Sequence, residues 1–180
     1  MKEIELTFLA KNLPFNLAGY KSKEIIDVYF PKNSLHPKIR LRKNGSKYEL
    51  TKKQLLVPNN ASIQEESIIL LDVEEFLALS KLDGKKLRKI RYSYPYKGLI
   101  AEIDIFQDAL LGLVLIDFEF SSEEELSAFE IPDFCLCDIT QEDFIAGGML
   151  AGKTYDDIKN GLNRFDYKKI MTDIKYLNDL

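Results

Sequence analysis

Apolar and polar residues alternate with a period of two in several segments of this chain. Near the start, Glu3, Glu5 and Thr7 occupy alternate positions, and the residues between them are apolar. Successive side chains of a β-strand point to opposite faces, so this pattern predicts a strand with one polar and one apolar face. The same alternation recurs in residues 38–42, 47–53, 89–94, 102–105 and 116–120.

Turn and capping signals separate these strands from predicted helices. The dipeptide Asn44-Gly45 lies between two alternating segments and predicts a β-hairpin with a basic face. Residues 72–81 begin with acids and contain apolar residues to bury, among them Phe76 and Leu77, which predicts a helix. Further helices are predicted at residues 121–129, 140–150, 154–162 and 166–180.

Length and composition restrict the class of protein. With 180 residues, the chain is expected to form one domain. Its 25 Lys and Arg residues nearly balance 29 Asp and Glu residues, which argues against a one-sidedly basic nucleic-acid binder. An apolar content of 46% is too high for disorder, and charges interrupt the apolar runs before they reach membrane-spanning length. The first residues contain no signal-peptide-like stretch, so the cytoplasm is the expected compartment.

Soft metal ligands are few in this sequence. Cys135 and Cys137 are its two cysteines, and His36 is its one histidine. A structural zinc ion takes about four such ligands, so this supply disfavours a zinc site. We interpret the two cysteines as buried, reduced thiols.

The charged faces of the predicted strands are sorted by sign. For any single strand, an ordinary sheet with one face in water is the better explanation of the alternation. Here, however, charges of mostly one sign recur on strand after strand. The acids are Glu3 and Glu5, Glu102 and Asp104, and Asp117 and Glu119; the bases are Arg40 and Arg42, Lys53, and Lys89 and Arg91. If the strands close into a barrel with their apolar faces outward, these charges line its lumen.

A lumen that carries both signs of charge has a natural ligand. Arginine and lysine bind phosphate oxygens, and carboxylates bind hard divalent cations that bridge to the same oxygens. The mixture therefore predicts metal-assisted chemistry on a polyphosphate. No nucleophilic Ser-His or Cys-His pair is expected, because the chain has a single histidine.

The charged strands belong to seven short motifs that together span residues 1 to about 151. The motifs are Glu3-Ile-Glu5, Ile39-Arg-Leu-Arg42, Leu50-Thr-Lys-Lys53, Lys89-Ile-Arg-Tyr92, Glu102-Ile-Asp-Ile-Phe106, Leu113-Val-Leu-Ile-Asp-Phe-Glu119, and Ile139-Thr140 before Leu150-Ala151. None is specific alone, but their order and spacing resemble those of the CYTH superfamily. This superfamily, also called the triphosphate tunnel metalloenzymes, includes thiamine triphosphatase, inorganic tripolyphosphatases and class IV adenylate cyclases.

The resemblance implies a fold and a site. The implied fold is α+β, a single domain over residues 1–180 that forms a closed eight-stranded antiparallel β-barrel with surrounding helices, including C-terminal helices in residues 152–180. The bases implied to hold the triphosphate are Arg40, Arg42, Lys53, Lys89 and Arg91. The acids implied to hold one or two Mg²⁺ or Mn²⁺ ions are Glu3, Glu5, Glu65, Asp104, Asp117 and Glu119. Glu66 is the alternative to Glu65, because the register of that strand is open by one residue.

Three features depart from the family pattern. Thr7 stands where a lysine usually follows the opening acids, so a hydroxyl replaces a charge. Ser67 and Ile69 stand where acids usually alternate after Glu65. Residues 145–147 read Ile-Ala-Gly where relatives often have tyrosine, lysine and asparagine. The loss of tunnel lysines predicts a weaker affinity for a fully charged triphosphate.

The activity that the resemblance implies is the metal-dependent hydrolysis of a triphosphate. The candidate substrates are inorganic tripolyphosphate, a nucleoside triphosphate and thiamine triphosphate, with water as the attacking nucleophile. Two alternatives stay open: a non-catalytic phosphate- or nucleotide-binding CYTH protein, and a class IV-type adenylate cyclase. The expected partner is a small triphosphate compound, with no nucleic acid or membrane, and the expected assembly is a monomer or homodimer.

Overall fold

Eight antiparallel strands close into a β-barrel in the computed structural model, which describes residues 2–13 and 17–171. The strands are β1 (Lys2–Ala10), β2 (Ser22–Phe30), β3 (Ile39–Asn44), β4 (Lys47–Val57), β5 (Asn60–Leu71), β6 (Lys85–Tyr96), β7 (Leu99–Phe106) and β8 (Val114–Glu119). Around the barrel their order is β1-β5-β4-β3-β2-β6-β7-β8, and β8 pairs with β1 again. A short ninth strand, β9 (Cys135–Asp138), pairs with the end of β1. The predicted closed barrel is confirmed.

Short helices surround the barrel. They are α1 (Val73–Leu79), α2 (Glu123–Ser127), α3 (Gly147–Leu150) and α4 (Tyr155–Asn163). Asp72 and Glu75 form a capping box that starts α1, since each side chain accepts a backbone N–H that the helix leaves unpaired. Thr154 and Asp157 start α4 in the same way. Within the described ranges, no helix has the length and hydropathy needed to cross a membrane.

The predicted helix at residues 140–150 is wrong over most of its length. The segment forms a 3₁₀ turn at Asp143–Ile145 followed by the single-turn helix α3. A Cβ atom on Gly147 would lie 2.2 Å from the Tyr29 hydroxyl, and one on Gly148 would lie 2.2 Å from the Pro37 carbonyl oxygen. Close packing of this backbone against the barrel therefore decides its conformation.

Other predicted elements agree with the structure in part. The helices predicted at residues 121–129 and 154–162 correspond to α2 and α4. The helix predicted at residues 166–180 is absent over residues 166–171, and its remainder lies outside the described residues. The alternation does not predict β2, because residues 25–30 read Ile-Ile-Asp-Val-Tyr-Phe and hide the period of two.

Two apolar clusters hold the molecule together. The first packs against the outside of the barrel, where Phe8 and Phe118 are fully buried. The second contains Leu87, Phe106 and Leu115, which line the lumen, and joins them to side chains of α3 and α4. Apolar packing thus fills one part of the barrel interior, and the charged residues occupy the rest.

Both cysteines lie on β9 as free thiols. Cys135 is buried in the first apolar cluster, and burial raises the pKa of its thiol to about 12. A thiol with so high a pKa carries almost no thiolate at neutral pH and is unreactive. The interpretation of buried, reduced thiols therefore agrees with the structure for Cys135, whereas Cys137 is a free thiol that is only half-buried.

Candidate active site in the barrel lumen

The lumen contains a cavity of about 530 Å³. All the predicted site residues except Glu65 line it: Glu3, Glu5, Arg40, Arg42, Lys53, Lys89, Arg91, Asp104, Asp117 and Glu119. They come from β1, β3, β4, β6, β7 and β8. Because each strand contributes alternate residues to the same side, charges that are far apart in the sequence converge on one cavity.

The placement of Glu65 in the lumen is wrong. Glu65 is exposed, whereas Glu66 is 7% exposed and lines the cavity. Residues directly opposite each other in an antiparallel pair share a face, and Glu66 lies opposite Lys53, which faces the lumen. Glu65 lies opposite Gln54 on the outer face. The alternative register is therefore the one that the barrel adopts.

The two arginines of β3 are held by buried acids. Arg42 donates from Nε and Nη2 to the two carboxylate oxygens of Asp27, at 2.7 and 2.8 Å. Asp27 is 1% exposed. Burial alone would raise its pKa, but Arg42 outweighs burial and lowers the pKa to about 2. Arg40 donates to Glu66 at 2.8 Å and to the Thr51 hydroxyl at 2.7 Å.

Lys53 on β4 forms ion pairs with two acids of β1. Its ammonium group lies 2.6 Å from a carboxylate oxygen of Glu3 and 3.0 Å from one of Glu5. Burial opposes its charge, but these two carboxylates outweigh burial and raise the pKa of Lys53. Gln64 also donates to Glu5, at 3.1 Å. The side chain of Lys53 is thus positively charged at any physiological pH.

The two bases of β6 share one buried carboxylate. Lys89 and Arg91 both donate to Asp104, which is 1% exposed. Arg91 also contacts Glu102 and, at 2.9 Å, Asp117. Burial, together with the neighbouring positive charge of Arg91, lowers the pKa of Lys89. The Asp104 carboxylate stays ionised, because Arg91 and Lys89 outweigh burial and lower its pKa.

Acids cluster where β7, β8 and β1 are adjacent in the barrel wall. We call this part of the lumen the acidic side, and its acids are Glu5, Glu102, Asp117 and Glu119. Glu5 lies directly opposite Glu119, and Glu102 lies directly opposite Asp117. Like charges in such cross-strand pairs repel each other. Burial raises the pKa of Asp117 to about 6 against the pull of Arg91, and the carboxylates of Asp104 and Glu5 add to the increase.

Thr7 and Glu119 complete the acidic side of the lumen. The Thr7 hydroxyl donates to Asp117 at 2.8 Å, so the hydroxyl that replaces the usual lysine is bound to an acid. Partial burial and the carboxylates of Glu102, Glu3 and Glu5 raise the pKa of Glu119. The acidic side therefore has more negative charge than its own neighbours neutralise.

The carboxylate oxygens of the acidic side are suitable ligands for a hard divalent cation. In the described ranges, no three His, Cys, Asp or Glu side chains are already arranged to hold a metal ion. The facing carboxylate pairs nevertheless supply oxygen ligands, which magnesium and manganese prefer. Zinc is disfavoured, because His36 lines the cavity while the two cysteines lie on β9.

Several lumen residues escape prediction from sequence. Asp27 and Tyr29 lie on β2, whose alternation is hidden by apolar residues on both faces. Thr51 is uncharged, although it hydrogen-bonds Arg40.

Comparisons with known proteins agree with the geometry. No protein-family model matches the chain. A Nitrosomonas europaea protein named inorganic triphosphatase is 29% identical over 144 residues, which are 79% of this chain and 91% of that protein. The crystal structure of an inorganic triphosphatase matches with a TM-score of 0.61 and 26% identity, and the match covers 84% of this chain and 95% of that chain.

A third match concerns the fold alone. A Bacillus halodurans structure described as a candidate adenylate cyclase matches with a TM-score of 0.53 and 17% identity, covering 99% of both chains. The closed barrel, the sorted lumen charges and the similarity to an inorganic triphosphatase fit the CYTH superfamily of triphosphate tunnel proteins, which the sequence motifs resemble.

Proposed function

We propose that the protein hydrolyses a triphosphate in its barrel lumen. The observation that carries this proposal is the convergence of five basic side chains and a facing set of carboxylates on one cavity of about 530 Å³. The bases suit the oxygens of a polyphosphate chain. The proposal is supported by the similarity of the chain to a Nitrosomonas europaea protein named inorganic triphosphatase.

A triphosphate that binds in the lumen competes with ion pairs that are already formed there. Each of the five bases contacts a lumen carboxylate: Arg40 contacts Glu66, Arg42 contacts Asp27, Lys53 contacts Glu3 and Glu5, and Lys89 and Arg91 contact Asp104. Phosphate oxygens compete with these carboxylates for the bases. Arg42 and Arg91 keep their buried acid partners and present their remaining N–H groups, whereas Lys53 exchanges Glu3 and Glu5 for phosphate.

Magnesium or manganese is the cofactor we propose for the acidic side. Glu5, Asp117 and Glu119 would hold it, because their mutual repulsion is relieved when a divalent cation binds. A bound cation would neutralise phosphate oxygens and orient the leaving group. Lys89 and Arg91 stabilise the negative charge that develops on the phosphorus-bound oxygens.

The hydrolysis consumes one water molecule for each phosphoanhydride bond. The water oxygen forms a bond to phosphorus as the bond between phosphorus and the bridging oxygen breaks. A proton of the attacking water passes to a carboxylate of the lumen that does not hold the cation. The products are phosphate and the diphosphate.

An assay of phosphate release tests the proposed function. Tripolyphosphate, ATP and thiamine triphosphate are incubated with the protein and either magnesium or manganese. We expect release from at least one substrate, and none after the divalent cation is removed. No release from any of them, together with thermal stabilisation by tripolyphosphate, would identify a binding protein instead. Cyclic AMP from ATP would identify a cyclase.

Replacing Thr7 by lysine is expected to strengthen triphosphate binding. The new ammonium group would enter the lumen beside Asp117, which the Thr7 hydroxyl now contacts. One additional charged contact to phosphate corresponds to a decrease in KM of about tenfold. Steady-state kinetics with tripolyphosphate measure it, and Thr7→Met is the uncharged control. An equal KM in the lysine and methionine variants would show that position 7 does not contact the substrate.

Replacing Glu119 by alanine is expected to raise the magnesium concentration needed for half-maximal activity by at least about tenfold, because one carboxylate ligand is lost. Titration of activity with magnesium measures this change. Glu123→Ala is the matched control, since Glu123 pairs with Lys2 on the surface. If Glu119→Ala and Glu123→Ala have the same magnesium dependence, the metal site is assigned to the wrong side of the lumen.

A further inference from the structure

One edge of β5 continues beyond its partner strand. β1 pairs with β5 only at Ile63, Gln64 and Glu65, and its described residues begin opposite Glu65. The remaining residues of β5, 66–71, pair with β4 on one side. In the described part of the chain, no strand pairs with their other side. This free edge presents backbone N–H and C=O groups that can accept another strand.

The side chains at this edge are apolar on both faces. Ile68, Ile69 and Leu70 are 46%, 59% and 71% exposed. Natural edge strands are usually protected by lysine, proline or a bulge. Residues 67–71 read Ser-Ile-Ile-Leu-Leu and contain no charge or proline, and their pairing with β4 is regular. The edge thus lacks the usual protection against pairing with another chain.

Helix α1 extends the same apolar surface. Its pattern predicts a buried face, yet the structure buries none of its residues. Phe76 packs against Tyr48 with ring centroids 4.4 Å apart, while Val73 and Leu77 are 54% and 55% exposed. Because Val73 and Leu77 are largely exposed, the apolar face of this helix is incompletely packed within one chain.

We propose that a second copy of this chain pairs with the free edge of β5. Antiparallel self-pairing about Ile69 would place Ile68 opposite Leu70 and Ser67 opposite Leu71, so that no charges oppose each other within residues 67–71. The next pair in this register is Glu66 and Asp72. The acids that flank the segment already have partners, because Glu66 binds Arg40 and Asp72 caps α1. The same sequence on both sides is therefore complementary to itself, as a two-fold interface requires.

The available area is sufficient for a reversible dimer. The five exposed apolar side chains and the strand backbone present on the order of 500 Å² in each copy. Two copies together would bury on the order of 1,000 Å², which is the lower limit for a specific interface. We therefore expect a concentration-dependent monomer–dimer equilibrium in the micromolar range.

Analytical ultracentrifugation of the full chain tests the dimer. We expect the wild type to shift from monomer to dimer between low micromolar and submillimolar concentration, and Ile69→Lys to stay monomeric with an unchanged melting temperature. Leu35→Lys is the matched control, since Leu35 is 81% exposed in the loop between β2 and β3 and should leave the dimer intact. A wild type that stays monomeric, or an Ile69→Lys variant that dimerises equally well, would overturn the proposal.

Hydrogen exchange locates the contact. Amides in residues 67–71 are expected to gain protection as the protein concentration rises, because they become part of a sheet shared by two barrels. Dimerisation without any change in these amides would place the interface elsewhere and would also overturn the proposal. The readout does not depend on catalysis, so loss of the proposed triphosphatase activity leaves it unaffected.

Discussion

Replacing Arg91 by methionine is expected to reduce kcat/KM for a triphosphate by about 10²–10³-fold, the usual effect of removing a group that stabilises transition-state charge. Arg91 contacts Asp104, Asp117 and Glu102, so its guanidinium is fixed before any substrate arrives. A charge held in place in this way needs no reorganisation during the reaction. Methionine keeps most of the apolar stem and removes the charge.

The same substitution is expected to destabilise the fold, and this effect must be measured separately. Removing one partner of a buried ion pair leaves the other charge uncompensated, which typically lowers the free energy of unfolding by about 3–5 kcal/mol. Activity is therefore measured well below the melting temperature of the variant. Arg91→Lys, which keeps the charge and loses the planar fork, should retain more activity than Arg91→Met.

Arg88→Met is the matched control for the loss of a positive charge from β6. Arg88 lies three residues before Arg91, on the outer face, where it pairs with Asp108 and Glu24. Its replacement should leave kcat/KM within about twofold of the wild type, as for most surface positions. A folded Arg91→Met variant with activity equal to Arg88→Met would remove Arg91 from the proposed phosphate site.

Without a divalent cation, the folded protein is expected to become less stable as the pH rises from 4 to 7. The pKa of Asp117 is about 6 in the folded protein and 3.8 ordinarily, so between these values the folded state binds more protons. The contribution of Asp117 to the free energy of unfolding then falls as the pH rises from 4 to 7. The difference between these two pKa values corresponds to a decrease of about 3 kcal/mol in the contribution of Asp117 to the free energy of unfolding.

Urea unfolding at several pH values, with and without magnesium, measures this dependence. Asp117→Asn should flatten the decline, because the asparagine cannot ionise. Magnesium should stabilise the wild type more at pH 7 than at pH 4, because it favours the ionised carboxylates. Asp133→Asn, at an exposed position, is the control for the loss of one acid. An Asp117→Asn variant that keeps the full pH dependence of the wild type would show that another group causes it.

The lumen was predictable from sequence wherever a strand has one polar and one apolar face. On β1 and β8, for example, the alternation around Glu5 and Asp117 identifies both the strand and the residues of the lumen. It fails on β2, because that strand is apolar on both sides of Asp27. Local periodicity indicates which face of a strand is buried. When both faces are buried, the alternation disappears and the strand cannot be predicted from it.

The error at Glu65 has a different cause. Two adjacent glutamates satisfy the same local pattern, and a shift of one residue exchanges the two faces of a strand. Only the pairing of β5 with β4 resolves the choice, because it places Glu66 beside Lys53. The helix predicted at residues 140–150 fails for a related reason, since contacts of Gly147 and Gly148 with distant residues override its local preference.

Most of the barrel strands, the sign of the charge on them and the seven motifs that resemble the CYTH superfamily can be read from the sequence alone, because these features depend on residues close together in the chain. The pairing of acids with bases, such as Asp27 with Arg42 and Asp104 with Lys89 and Arg91, is visible only in the folded barrel. The folded barrel also leaves one edge of β5 exposed. Such contacts depend on the register between strands distant in sequence, which barrel closure sets and local periodicity does not record.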